Sequence, residues 1–140
     1  MVLRLVSGGG NMRSATVLVV DDDALILKVL VDELTEVGFE VMAARDGNQA
    51  IAGLTKDASR FKAIITDVNL GIGPDGWDVG RRARELVSNM PVVYLSGDSS
   101  HEWSSKGVPD SVMIAKPFVP VQLVTAISIL ITAADTHGSG

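Results

Sequence analysis

Apolar and polar positions along the chain follow two periods that take turns. Residues 16–20 form a short β-branched run without charge. Over 24–37 the apolar positions move to helical spacing, with Leu27, Leu30, Val31 and Leu34 on one face. Gly38 follows as a stop signal. Residues 39–43 return to strand character, and 46–57 read as a second helix with Ala50, Ile51 and Leu54 inward. KAIIT at 62–66 is a third strand. The loop DVNLGIGPDG precedes a helix over 77–88, whose outer side carries Arg81, Arg82 and Arg84 as a solvated face. Residues 91–95 are a fourth strand. SSHEWSSKGVPD then holds Gly107 and Pro109, so the fourth helix, 101–106, is expected to be short or irregular. A fifth strand at 111–115 and a last helix over 119–134 complete the series.

Five strand-then-helix units in series predict an α/β domain with a parallel sheet and helices on both faces. The near-continuous apolar strands suit burial on both sides. The domain is expected over 15–134. Residues 1–14, with SGGGN at 7–11, and residues 135–140 read as flexible tails.

The residues that follow the strands carry the chemistry. Asp21, Asp22 and Asp23 follow the first strand, Asp67 the third, Ser96 the fourth, and Lys116 with Pro117 the fifth. In an open parallel sheet all of these fall at one edge, where ligands bind. Each alone has an ordinary explanation as a cap, a turn residue or a solvated charge. Together they form a cluster of carboxylates, one hydroxyl and one ammonium. Crowded carboxylates repel unless a cation answers them, and a hard divalent ion such as Mg²⁺ suits them. Asp22 and Asp67 are candidates for direct ligands and Asp21 for a ligand through water. Asp23, at the start of a helix, is expected to cap free N–H groups.

Composition narrows the function. With 46% hydrophobic and 4% aromatic residues, the core is aliphatic. A net charge of −5 argues against a nucleic-acid phosphate binder. The absence of cysteine excludes disulfides, thiolate metal sites and cysteine nucleophiles. No apolar run approaches the ~20 residues needed to span a bilayer, and a soluble, cytoplasmic protein is expected. A length of 140 residues suits one domain, and no output domain is expected after Ala134.

Taken in order, VLVVDDD, ITDVNL, VVYLSGD and IAKPF resemble the motifs of bacterial response-regulator receiver domains, across about residues 16–134. The resemblance implies a five-stranded parallel sheet of order 2-1-3-4-5 with five flanking helices, in a stand-alone, chemotaxis-regulator-like phosphorelay protein. It implies that Asp67 accepts a phosphoryl group from a sensor histidine kinase or histidine phosphotransfer protein. Asp21, Asp22 and Asp67 would hold Mg²⁺, with the backbone carbonyl of Asn69 as a further ligand. Ser96 would contact the phosphoryl oxygens and shift on activation, Lys116 would pair with the carboxylate and then the phosphoryl group, and the Lys116–Pro117 bond would be cis. Such a protein is a signalling phosphoacceptor rather than a turnover enzyme, although it catalyses its own phosphorylation and dephosphorylation. The chemistry agrees, since Mg²⁺ and an ammonium offset the repulsion between a carboxylate and an anionic phosphoryl group.

Three features depart from the family pattern. The place three before Lys116, usually a Tyr or Phe switch ring, holds Met113. The loop GIGPDG is longer than the common LPGMDG type. Trp103 lies in the irregular fourth helix and is expected as a surface contact. In addition, Asn69 and Asp98, two residues after Asp67 and Ser96, can orient a water in line with phosphorus, which predicts a short-lived phosphorylated state.

On the last helix, Leu123, Ile127, Leu130 and Ala134 can face the core, which leaves Val121, Val124, Ile129 and Ile131 as extra apolar area. One reading buries them in the domain; the other makes them a homodimer or effector contact. Two rival functions remain at this point. A haloacid-dehalogenase-type phosphatase would use Asp21 and Asp23, but the only acid after Lys116 is Asp135. An interaction module that never takes phosphate would not need Asp22, Asp67 and Lys116. A nucleotide-binding module is disfavoured, because no glycine-rich loop opens a helix after the first strand.

Overall fold

A computed structural model of the chain describes residues 15–98 and 100–139. The strands are β1 (Thr16–Val20), β2 (Glu40–Ala44), β3 (Phe61–Asp67), β4 (Val92–Ser96) and β5 (Val112–Ala115). The helices are α1 (Ala24–Glu36), α2 (Gly47–Asp57), α3 (Gly76–Leu86), α4 (Trp103–Lys106) and α5 (Pro120–Ser139). Short 3₁₀ turns at Ala58–Arg60 and Ser100–Glu102 precede β3 and α4.

The strands pair in parallel in the order β2-β1-β3-β4-β5. β1 and β4 are buried throughout, and in β3 only Lys62 is exposed. The outer strands β2 and β5 are partly exposed. Alternation along each strand divides the core in two. Leu18, Val20, Ile64, Val92 and Tyr94 face Leu54, Trp77 and Val79 of α2 and α3. Val17, Val19, Ile65 and Leu95 face Leu30 and Leu34 of α1 and Leu123 and Ile127 of α5. Each of those four helical residues is fully buried, and such burial stabilises by about 1.5–3 kcal/mol per side chain.

Aspartates start three of the helices. Asp23 accepts N–H bonds from Leu25 and Ile26, Asp46 accepts one from Gln49, and Asp75 forms a reciprocal capping box with Asp78. Gly38, with φ of 104°, turns the chain out of α1 toward β2. The fourth helix is short, as the glycine and proline around it predict.

Some boundaries differ from the periodic reading. β2 begins one residue later, because Phe39 packs its ring against the core under α1 and α5 instead of entering the ladder. β3 extends one residue at each end, so Asp67 itself is the last strand residue. α5 runs to Ser139 rather than Ala134, through residues read as tail, since no proline interrupts its bonding. The tail expected over 1–14 lies outside the described residues.

Candidate functional site

The carboxyl ends of β1, β3, β4 and β5 bring Asp21, Asp67, Ser96 and Lys116 to one edge of the sheet. Asp21 is fully buried and Asp67 nearly so. Asp22, next in the chain, is exposed. Carboxylate oxygens of Asp21, Asp22 and Asp67 lie within 4.8 Å of one another. The Lys116 ammonium reaches into this cluster, 3.3 Å from Asp21 Oδ2 and 3.4 Å from Asp67 Oδ2. It arrives from a cis Lys116–Pro117 peptide, and the Lys116 backbone N–H donates to the Ser96 carbonyl at 2.8 Å.

Several local features fix these side chains. Asp21 Oδ1 accepts the N–H of Asp23 at 2.9 Å, while Asp23 Oδ1 caps α1 at 2.9 and 3.2 Å. The third aspartate of the run is thus engaged away from the cluster. Arg45 donates to the Asp22 carbonyl at 3.4 Å. The Asp67 carbonyl accepts the Thr66 hydroxyl at 2.9 Å. Gly76 packs directly on the backbone of Asp67 and Val68, where any Cβ would collide with the Asp67 carbonyl. Its N–H donates to the Val68 carbonyl at 2.8 Å.

The electrostatics show a deficit of positive charge. Burial, then the charge of Asp21, push the Asp67 carboxyl up to about 6 against the pull of Lys116. Burial also raises Asp21, overcoming the Asp23 N–H bond and Lys116. Burial lowers Lys116, but Asp67 and Asp21 outweigh it and hold its pKa above the ordinary lysine value. One ammonium faces three carboxylates, which is the donor set and charge balance of a hard divalent cation. Asp21, Asp22 and Asp67 are the residues that fit it.

Other expected residues fall outside this cluster. Asn69 and Asp98 are exposed on the loops after β3 and β4. Met113 is half-buried against the α2–α3 core and stands opposite Tyr94 in the sheet register. Trp103 is 37% exposed, and its indole N–H is bonded to Ser111, so it is a surface residue with an inward tether. On α5, Val121 and Ile129 are exposed, while Val124 and Ile131 pack into the α1–α5 core. Sequence reasoning missed Gly76 and Thr66. The glycine of PDG was read as turn chemistry, although a glycine at a helix start beside a strand end also signals close backbone approach.

A doubly wound sheet with this acidic edge defines a class, and comparison with known proteins resolves it. The family model described as Response regulator receiver domain matches residues 17–128. The chain therefore belongs to the response regulator receiver domain family, whose members are phosphoacceptor signalling domains of two-component systems. It is 36% identical over 123 residues to Transcriptional regulatory protein PrrA of Mycobacterium tuberculosis, covering 86% of this chain and 52% of that protein. The chain thus spans about half the length of that relative. The response regulator receiver protein of Sinorhizobium medicae superposes with a TM-score of 0.85 at 43% identity, covering 89% of this chain and 99% of that one. Chemotaxis response regulator CheY4 of Vibrio cholerae superposes with a TM-score of 0.73 at 30% identity, covering 84% and 99%. Among the described residues no helix is long and apolar enough to cross a membrane.

Proposed function

We propose that the chain acts as a cytoplasmic response regulator receiver that takes a phosphoryl group onto Asp67. The observation that carries this reading is the Lys116 ammonium bridging Asp21 and Asp67 beside the three-carboxylate cluster. An Asp67 carboxylate oxygen attacks phosphorus on a phosphohistidine of a sensor kinase or phosphotransfer protein. The P–N bond breaks, the histidine nitrogen keeps the electron pair and gains a proton, and an acyl phosphate remains. Mg²⁺ held by Asp21, Asp22 and Asp67, with the Asn69 carbonyl, would supply charge stabilisation at the transferring oxygens. Lys116 neutralises the Asp67 carboxylate and is placed to follow the charge onto the phosphoryl group. Ser96, at the neighbouring strand end, supplies a hydroxyl to the same oxygens.

The donor's approach is marked by exposed aliphatic side chains on three segments that leave this sheet edge. Leu25 is on the first turn of α1, Ile72 on the β3–α3 loop, and Val119 between β5 and α5. Exposed Val121 and Ile129 on α5 support a separate contact with a second copy or an effector. The phosphatase alternative is not favoured, because the Asp23 carboxylate that would act as its acid is bonded to the α1 N-terminus.

Intact-mass measurement after treatment with acetyl phosphate and Mg²⁺ tests the reading. The native chain is expected to gain one phosphoryl group and Asp67→Asn none. Equal gain in both chains, or catalytic release of phosphate without a modified protein, would reject it.

A further inference from the structure

On β4, two residues before Ser96, a line of hydrogen bonds starts in the core and ends at the surface. Tyr94 is fully buried. Its hydroxyl oxygen accepts the Val108 N–H at 3.1 Å. The Val108 carbonyl accepts the Ser111 hydroxyl at 2.6 Å. The Ser111 oxygen in turn accepts the Trp103 indole N–H at 2.8 Å. Trp103 sits at the start of α4 and is 37% exposed. This line thus connects β4 to a partly exposed tryptophan.

The inner end of this line is rigid. The Tyr94 ring lies 4.7 Å from Trp77, centroid to centroid, tilted by 54°. Its hydroxyl rests against Gly80 of α3, where a Cβ would collide with it. Tyr94 and Ser96 project from the same face of β4, because side chains alternate along a strand. Ser96 is also tied to β5, since its carbonyl accepts the Lys116 N–H at 2.8 Å. Met113, which pairs with Tyr94 across the β4–β5 ladder, makes no such polar link, having only a thioether to offer. The aromatic group beside the switch hydroxyl is therefore on β4 in this chain, and it is anchored rather than free to rotate.

We infer that Tyr94 is a positioning residue that couples Ser96 to the 107–111 turn and to Trp103, so that occupancy of Asp67 is read at the surface as a changed environment of the Trp103 indole. The inference rests on the phosphoacceptor reading of the site. When Ser96 is drawn toward a phosphoryl group, β4 shifts under Tyr94. The phenol cannot turn away past Trp77 and Gly80, so the displacement passes through the Val108 amide to Ser111 and the indole.

The chain contains two tryptophans, Trp77 and Trp103, so 5-fluorotryptophan labelling gives two ¹⁹F lines, assigned with Trp103→Phe. Adding beryllofluoride and Mg²⁺, an acyl-phosphate mimic, is expected to move the Trp103 line in the native chain. In Tyr94→Phe, which keeps the ring and removes the hydroxyl, the movement is expected to fall at least fivefold while intact mass still shows phosphoryl uptake from acetyl phosphate. Should Tyr94→Phe fail to fold, Ser111→Ala cuts the same line nearer the surface and must give the same loss. Uptake without movement of the Trp103 line in the native chain overturns this inference alone, as does full movement in the variant. Absence of uptake in the native chain overturns it together with the reading it rests on.

Discussion

Lys116 Nζ and Asp21 Oδ2 stand 3.3 Å apart although 95 residues separate them in the chain. The same ammonium is 3.4 Å from Asp67, so a single side chain holds two buried acids in place and offsets their charge. Replacing it by the similarly long, neutral methionine, Lys116→Met, is expected to slow phosphoryl uptake from acetyl phosphate about a hundredfold, the loss typical when one stabilising donor is removed from a reacting oxygen. A time course by intact mass measures this. A native rate in the variant would remove Lys116 from the chemistry.

The Asp67 carboxyl is raised from 3.8 to about 6 by burial and by Asp21. The folded chain therefore holds this proton more tightly than the unfolded chain does. The stability it contributes is full below about pH 4 and is lost as pH rises to about 6. The difference corresponds to roughly 3 kcal/mol, and Asp21, raised by burial, acts in the same direction. In chelator, Asp67→Asn is expected to raise the melting temperature at pH 7.5 and to change it little at pH 4. Equal gains at both pH values would show that ionisation is not the cause.

Asn69 and Asp98 are exposed on the loops that follow Asp67 and Ser96. Asn69→Ala and Asp98→Ala are each expected to lengthen the lifetime of phosphorylated protein several-fold, since a misplaced water forfeits the alignment on which in-line attack depends. Loss of the mass gain after removal of acetyl phosphate reports the lifetime. If both variants decay at the native rate, neither residue places the water.

Gly76 allows α3 to start against the backbone of Asp67. Gly76→Ala is expected to destabilise the fold by about 1–3 kcal/mol, the usual cost of overpacking, and to displace Asp67 so that phosphoryl uptake from acetyl phosphate falls as well. Gly97, whose Cβ would meet nothing within 4 Å, is the control: Gly97→Ala is expected to leave the melting temperature within a degree or two. Equal loss in the two variants would show that the collision at Gly76 is relieved by movement elsewhere.

Much of this was legible in the sequence. Alternating periods placed the five strands and helices, and the carboxyl ends of the strands named Asp21, Asp22, Asp67, Ser96 and Lys116 before any coordinates. That works because a parallel sheet maps strand ends onto one edge, whatever the loops do. Boundaries were less legible where a side chain had two ways to be buried: Phe39 packs under α1 and α5 instead of opening β2. The outer surface of α5 was half legible, since periodicity cannot say that Val124 and Ile131 pack while Val121 and Ile129 do not. The line from Tyr94 to Trp103 was not legible at all. It depends on where an irregular turn puts the Val108 amide, and no repeating pattern encodes that.

The meeting of Asp21, just after β1, with Lys116, just after β5, bears on when the site comes into being during synthesis. A nascent chain that has not yet delivered its fifth strand lacks the ammonium, and one whose sheet is incomplete lacks the crowding that makes Asp67 unusual. The charge-balanced cluster of three carboxylates and one ammonium therefore exists only in the finished domain.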